Sequence, residues 1–260
     1  MSVHTLTFSL IQTTLFWEDK EANLAMLTKK IKDIEQYTEV IVLPEMFTTG
    51  FSMRPSDLAE TMEGPTVQWM KNISVEKKAI IVGSIMIQEE NNFFNRLLWV
   101  LPNGTLGYYD KRHLFAFAAE DNYYTAGKKR LIASVKGWKI NVQICYDLRF
   151  PVWARQQGEE YDILLYVANW PEKRNHAWKT LLTARAIENQ CYTIGVNRVG
   201  QDGNNIAYSG DSLIVGPLGE VLYHCAYKED VCTITLQKDE LKNTRDQFPF
   251  WKDADFFQIQ

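Results

Sequence analysis

Three separated segments carry side chains able to do chemistry: Leu43-Pro44-Glu45-Met46-Phe47, Tyr109-Asp110-Lys111-Arg112-His113 and Ile144-Cys145-Tyr146-Asp147-Leu148-Arg149-Phe150-Pro151. Each places one of them, Glu45, Lys111 or Cys145, at the end of an apolar, β-prone run. A carboxylate, an ammonium and a thiol together can break an unactivated C–N bond without a metal. The thiol attacks, the carboxylate moves protons and the ammonium steadies negative charge.

The elements that must position them alternate between strand and helix. Leu6–Gln12 reads as a strand, and Glu21–Gln36 as an amphipathic helix with Leu24, Leu27, Ile31 and Ile34 at helical spacing. Val40–Leu43 is a continuous apolar run, as in a strand buried on both faces. Pro65–Lys78 is a helix opened by proline. Ala79–Ile87, Phe94–Leu101 and Thr105–Tyr109 read as strands, the last two joined through Pro102-Asn103-Gly104. Lys111–Arg130 has no clean period and is expected to be a long loop, a length usually reserved for function or disorder. Beyond it, Ile140–Ile144, Ile163–Ala168, Cys191–Val199, Asp211–Val215, Val221–Tyr223 and Val231–Leu236 read as strands. Pro151–Gln157 and His176–Gln190 read as helices. Helices between apolar strands predict a layered α/β domain.

Composition narrows the function classes. The 260 residues are 46% hydrophobic with a formal net charge of −4, and no basic block or tail appears, which argues against nucleic-acid or anionic-membrane partners. No C-x-x-C pair or H-E-x-x-H occurs among the four cysteines and four histidines, so no structural zinc site is expected. The N-terminus has no secretory pattern and no apolar run reaches transmembrane length. A cytoplasmic protein fits best.

Each candidate has a bland reading. A Cys at the end of a buried strand is usually a small hydrophobe. Around Cys145, however, the strand stops at once, Asp147 and Arg149 bring charge, and Pro151 can open a helix. A thiol there meets backbone N–H groups and a helix dipole, both of which favour thiolate. Cys191, Cys225 and Cys232 lack such surroundings and read as packing residues. Glu45, beside Met46 and Phe47, is expected in a partly apolar pocket. Lys111 alone reads as part of a solvated charged turn, and Glu120, in Phe117-Ala118-Ala119-Glu120-Asp121, as a carboxylate that could simply be exposed.

Together the three segments resemble those of the nitrilase (carbon–nitrogen hydrolase) superfamily, which uses a Glu-Lys-Cys triad. The resemblance runs from Gln12 to Gly219. It also takes in Ala168-Asn169-Trp170-Pro171, Ala184-Arg185-Ala186-Ile187-Glu188-Asn189 and Asn197-Arg198-Val199-Gly200. It implies a four-layer αββα sandwich and a single domain over residues 1–260, with about 238–260 as an interface extension. It further implies a homodimer and no metal or organic cofactor. Cys-Tyr-Asp-Leu-Arg-Phe-Pro and Ala-Asn-Trp-Pro are most similar to the omega-amidase branch, which implies hydrolysis of the terminal amide of 2-oxoglutaramate and 2-oxosuccinamate.

On that resemblance Glu45 is the proton carrier, Cys145 the nucleophile, and Lys111 with the Tyr146 backbone N–H the oxyanion donors. Glu120 orients Lys111 or water. A substrate with a distal carboxylate needs a cation, and Arg174 is the leading candidate, with Lys173 as rival. Arg174 follows the strand Ile163–Ala168, where loops form binding crevices. Arg149 is expected to anchor the turn after Cys145, and His113 and His176 to pack or hydrogen-bond. The alternatives are a nitrilase or N-carbamoyl amide hydrolase using the same triad, and a catalytically silent ligand-binding or scaffold protein. Intact Glu45, Lys111 and Cys145 argue against the silent protein.

Overall fold

The chain is described by a computed structural model over residues 4–259; residues 1–3 and 260, which the 1–260 domain expectation includes, lie outside the described residues. The first half runs β1 (Thr5–Gln12), α1 (Lys20–Lys32), β2 (Val40–Val42), α2 (Pro55–Leu58), α3 (Pro65–Lys77), β3 (Ile80–Glu89), β4 (Asn92–Val100) and β5 (Leu106–Asp110). The second half runs β6 (Leu131–Val135), β7 (Trp138–Ile144), α4 (Pro151–Ala154), β8 (Ile163–Val167), α5 (Asn175–Asn189) and β9 (Tyr192–Val196). It closes with β10 (Val199–Gln201), β11 (Ala207–Val215), β12 (Val221–Ala226), β13 (Asp230–Gln237) and α6 (Lys238–Gln247).

These strands form two sheets. The first has the order β13-β1-β2-β3-β4-β5, and the second β10-β11-β9-β8-β7-β6 with β12 on β11. The central strands of each sheet are parallel, β1 with β2 and β3, and β7 with β8 and β9; antiparallel strands flank them. The alternation within β2 shows the layering. Val40 and Val42 face the inter-sheet core with Leu6, Phe8, Val142 and Ile144. Ile41 and Leu43 face the opposite way, into a second cluster with Leu27 and Ile31 of α1 and Val67 and Met70 of α3. On the far side α5 presses against β9, where a Cβ at Gly195 would come within 2.5 Å of Leu182. The architecture is an αββα sandwich.

Several local expectations shift. α1 stops at Lys32 because the Ile34 N–H turns back to the Ile31 carbonyl, although Ile34 still packs into the core. The run Cys191–Val199 is two strands, β9 and β10, parted at Asn197 and Arg198. The Asn197 side chain there bonds Trp170 and Gly210 rather than extending a ladder. β6 was not expected; it pairs with β7 through a tight turn in which Lys136 and Gly137 both have left-handed φ, 49° and 80°. α6 packs on its own chain through Leu241 and Arg245, whose guanidinium donates to the Gln190 and Tyr161 carbonyls.

Candidate active site

Glu45 leaves the first sheet just past β2. Leu43 still donates to the Val82 carbonyl at 2.7 Å, Pro44 has no N–H to give, and Met46 turns with φ 42°. Ser84 of β3 fixes that turn, its Oγ accepting from the Met46 N–H at 2.9 Å and its carbonyl from the Phe47 N–H at 3.2 Å. The Glu45 side chain is fully buried. Its Oε2 accepts from the Asn169 N–H at 2.7 Å, and its Oε1 from Asn95 Nδ2 at 2.8 Å and Lys111 Nζ at 2.9 Å.

Lys111 follows β5 in the same sheet. Its N–H donates to the Asn95 carbonyl at 3.0 Å, and its carbonyl accepts from Gly127 at 2.9 Å. Only glycine fits at 127, since a Cβ would sit 2.0 Å from the Asp110 carbonyl oxygen. The long loop 111–130 is thereby folded back, and it delivers Glu120 to Lys111. The ammonium lies 3.0 and 2.9 Å from the two Glu120 oxygens. Glu120 is buried, not exposed, and also accepts from the Phe115 N–H at 2.5 Å. Burial works against the Lys111 charge, but Glu120 and Glu45 outweigh it and hold the ammonium well above its ordinary pKa. Burial lifts the Glu120 carboxyl above its usual range against the pull of Lys111, and Glu45 adds to the rise.

Cys145 comes from the other sheet, where β7 ends in the 3-10 turn Cys145–Arg149. Its φ of 44° is left-handed, a conformation that costs a β-carbon residue roughly 1–3 kcal/mol and persists only where neighbours impose it. Asp147 imposes it. Its carboxylate accepts from the Ile144 N–H at 3.0 Å, the His113 N–H at 2.9 Å and the Tyr109 hydroxyl at 2.7 Å. Arg185 of α5 closes the turn from behind, donating to the Leu148 carbonyl at 2.6 Å. Arg149 does not anchor it: its side chain is exposed and lies over the Trp170 ring, 5.0 Å from the centroid.

The thiolate expectation is also corrected. Burial first, and then the Glu45 carboxylate, push the Cys145 thiol well above its usual pKa, with Lys111 only partly opposing. The helix that should have helped, α4, has four residues and begins beyond the turn, at Pro151. A neutral thiol beside a carboxylate needs that carboxylate as its base.

Cys145 and Lys111 open onto a cleft walled by Phe51, Phe115, Trp170 and Tyr208, with Arg149 and Arg174 also lining it. Glu45 and Glu120 sit behind Lys111 and do not line it. Arg174 is half-buried over the Phe115 ring, while Lys173 is exposed and outside the lining. Tyr146 packs edge-on between Phe115 and Phe150, its N–H in the first turn after the nucleophile candidate. His113 bonds Asp147 through Nδ1 at 2.8 Å and stacks on Phe150, and His176 is exposed on α5. Among the described residues no group of three or more His, Cys, Asp and Glu could hold a metal ion.

The sequence pattern of carbon–nitrogen hydrolases matches residues 7–246. The chain belongs to the carbon–nitrogen hydrolase family. It is 44% identical over 255 residues to the omega-amidase YafV of Escherichia coli K12, covering 98% of each chain. It is 30% identical over 251 residues to the 2-oxoglutaramate amidase of Bacillus subtilis, covering 95% of this chain and 96% of that one. A CN-hydrolase superfamily protein of Xanthomonas campestris, whose crystal structure holds an arsenic adduct in the active site, superposes with a TM-score of 0.97. It is 44% identical, with 99% of this chain and 100% of that chain covered. The protein is therefore an amidohydrolase of carbon–nitrogen bonds other than peptide bonds. Among the described residues no helix is long and apolar enough to cross a membrane.

Two residues of the site had no expected role. Asn95 is a polar side chain inside β4, next to Arg96. Asn169 lies in a motif already singled out, at the end of β8, and that strand-end position was its available signal.

Proposed function

We propose that this amidohydrolase cleaves the terminal amide of small 2-oxo dicarboxylic acid monoamides, 2-oxoglutaramate and 2-oxosuccinamate, through a thioester on Cys145. The observation that carries the reading is the meeting of Glu45, Lys111 and Cys145 from two different sheets, with Lys111 and Cys145 lining a cleft that also bears Arg174. The names of the Escherichia and Bacillus relatives support the substrate class.

Glu45 takes the Cys145 proton as sulfur bonds to the amide carbon and the carbonyl π-pair moves to oxygen. Lys111 Nζ and the Tyr146 N–H hold that oxyanion. Lys111 suits the task because two buried carboxylates keep it charged and fixed, so no reorganisation is needed when the oxyanion forms. Glu45 then gives its proton to the departing nitrogen, the C–N bond breaks, and ammonia leaves a thioester. Water, deprotonated by the same Glu45, attacks that thioester, and the acid and the thiol are restored. Glu120 keeps Lys111 in place throughout. Arg174 receives the distal carboxylate through paired N–H donors.

Ammonia release from 2-oxoglutaramate, measured beside glutamine, a simple nitrile and an N-carbamoyl amino acid, tests the reading. A clear preference for 2-oxoglutaramate is expected. Turnover of the nitrile or carbamoyl compound in its place would assign the cleft to another C–N bond.

A further inference from the structure

Arg149 and Arg174 line the same cleft, and each guanidinium lies over an aromatic face, Arg149 on Trp170 at 5.0 Å and Arg174 on Phe115 at 5.1 Å. Among the described residues neither guanidinium has a carboxylate or a hydrogen-bond acceptor. Arg96 and Arg185, which are buried, do: Arg96 grips Asp110 and Glu89, and Arg185 grips Glu188 and the Leu148 carbonyl. The acids near the cleft are already engaged. Glu45 and Glu120 hold Lys111, Asp147 holds the Cys145 turn, and Asp202 accepts from the Tyr208 hydroxyl at 2.9 Å. Two cations therefore face the substrate space with no internal anion between them.

Stacking on a ring restrains a guanidinium through its face and leaves its N–H edge free to donate. A single substrate carboxylate occupies one such fork. The second fork calls for another acceptor close by.

We propose that Arg149 is a substrate-binding residue that donates to the 2-oxo oxygen while Arg174 holds the neighbouring carboxylate. The pair thereby rejects the 2-ammonium of the matching amino acid amide. This rests on the 2-oxo acid reading above and adds its basis for discrimination. A 2-oxo acid presents its carboxylate and adjacent carbonyl as a run of acceptors on sp² carbons. An amino acid places at the same carbon three N–H donors and a positive charge, facing a cation with nothing to accept. One exchanged group turns attraction into repulsion, without any steric device. The competing role for Arg149, covering the Trp170 face with its alkyl stem, would affect every substrate alike.

The test compares kcat/KM of wild type, Arg149→Gln and Arg149→Lys on three amides of one chain length: 2-oxoglutaramate, glutaramate, which has no 2-substituent, and glutamine. Loss of one charge-assisted hydrogen bond predicts that Arg149→Gln falls about tenfold or more on 2-oxoglutaramate and less than about twofold on glutaramate. Glutamine turnover should rise in the same variant, and Arg149→Lys, which keeps the charge, should still reject glutamine. Equal losses on all three amides, or none, would overturn the assignment of Arg149 and leave the substrate class standing. A wild type that does not distinguish 2-oxoglutaramate from glutaramate would overturn the substrate class, and this inference with it. Arg149 is exposed, so matching melting curves can confirm that both variants fold.

Discussion

Asn169 holds Glu45 at both ends of the residue: its N–H donates to the carboxylate at 2.7 Å and its side-chain amide to the Glu45 carbonyl at 2.6 Å. Glu45 lies just past β2 in one sheet and Asn169 follows β8 in the other. The carboxylate is thus tied to both sheets, through its own chain, Asn95 and Lys111 to one, and through Asn169 to the sheet that carries the thiol.

Asn169→Ala removes the side-chain half of this clamp and leaves a buried carbonyl without its donor. Such a group costs about 1–3 kcal/mol, so the melting temperature should fall. On the proposed mechanism Glu45 acts in the bond-making steps, so kcat should fall more than KM rises. Steady-state kinetics beside thermal unfolding would show this; an unchanged kcat would mean that Glu45 is held well enough by Asn95 and Lys111.

Lys111 neutralises two buried carboxylates at once. Lys111→Met should abolish turnover and destabilise the fold by about 3–5 kcal/mol, the usual penalty for stranding a buried charge. Adding Glu120→Gln removes one stranded charge and should recover part of the stability but none of the activity. Denaturant unfolding of the single and double variants measures the coupling. Additive losses would show that Lys111 and Glu120 are held independently.

The Cys145 thiol, pushed up by burial and by Glu45, should remain protonated through neutral pH. Alkylation by iodoacetamide should therefore be slow near pH 7 and still climbing above the ordinary thiol range, because the thiolate fraction grows only as pH approaches the raised pKa. Cys145→Ala should abolish hydrolysis with the fold intact. Cys191, fully buried with its pKa pushed up to about 12 by burial, should resist the reagent, and Cys191→Ala should stay active. A fast-reacting Cys145 at pH 7 would contradict the neutral-thiol geometry.

What could be read before the structure follows from range. Glu45, Lys111 and Cys145 each end a strand inside a short distinctive segment; local pattern alone leaves Lys111 a solvated charged turn, and the family resemblance is what points to the three together. Asn169 stands in such a segment too, but its contact with Glu45 spans 124 residues and two sheets, beyond any local pattern. Asn95 gives no signal because a polar residue in a strand, here beside Arg96, can face either side until the sheet is paired. The thiolate expectation failed on magnitudes that need coordinates, since burial beside Glu45 outweighs a four-residue helix. The turn at Lys136-Gly137 escaped notice because lysine seldom takes a left-handed φ, and α6 because Leu241 is its lone apolar residue.

A homodimer is the proposed assembly, resting on the family resemblance and on apolar side chains left in solvent. α6 uses Leu241 to pack on its own chain, yet Phe250 and Phe256 beyond it are 61% and 89% exposed. Exposed aromatics grouped in one segment mark an interface more often than scattered ones do. Light scattering at micromolar concentration should give twice the chain mass, and Phe250→Ser with Phe256→Ser should shift it toward the single chain. A wild-type monomer would refute the dimer and leave the chemistry untouched.

Arg174 is where the substrate assignment meets its direct test. Its guanidinium is half-buried over Phe115 and lines the cleft that holds Cys145 and Lys111. A carboxylate gripped there through two parallel hydrogen bonds is both bound and oriented, and binding energy remote from the amide then holds its carbon at the sulfur. Arg174→Ala should therefore lower kcat/KM for 2-oxoglutaramate by roughly ten- to a hundredfold or more, from the loss of about 1.5–3 kcal/mol of charge-assisted hydrogen bonding. A small neutral amide, with no carboxylate to lose, should be nearly unaffected. Lys173→Ala, at an exposed position outside the cleft, should spare both substrates. Equal losses on charged and neutral amides would show that Arg174 supports the Phe115 wall and that the carboxylate is received elsewhere.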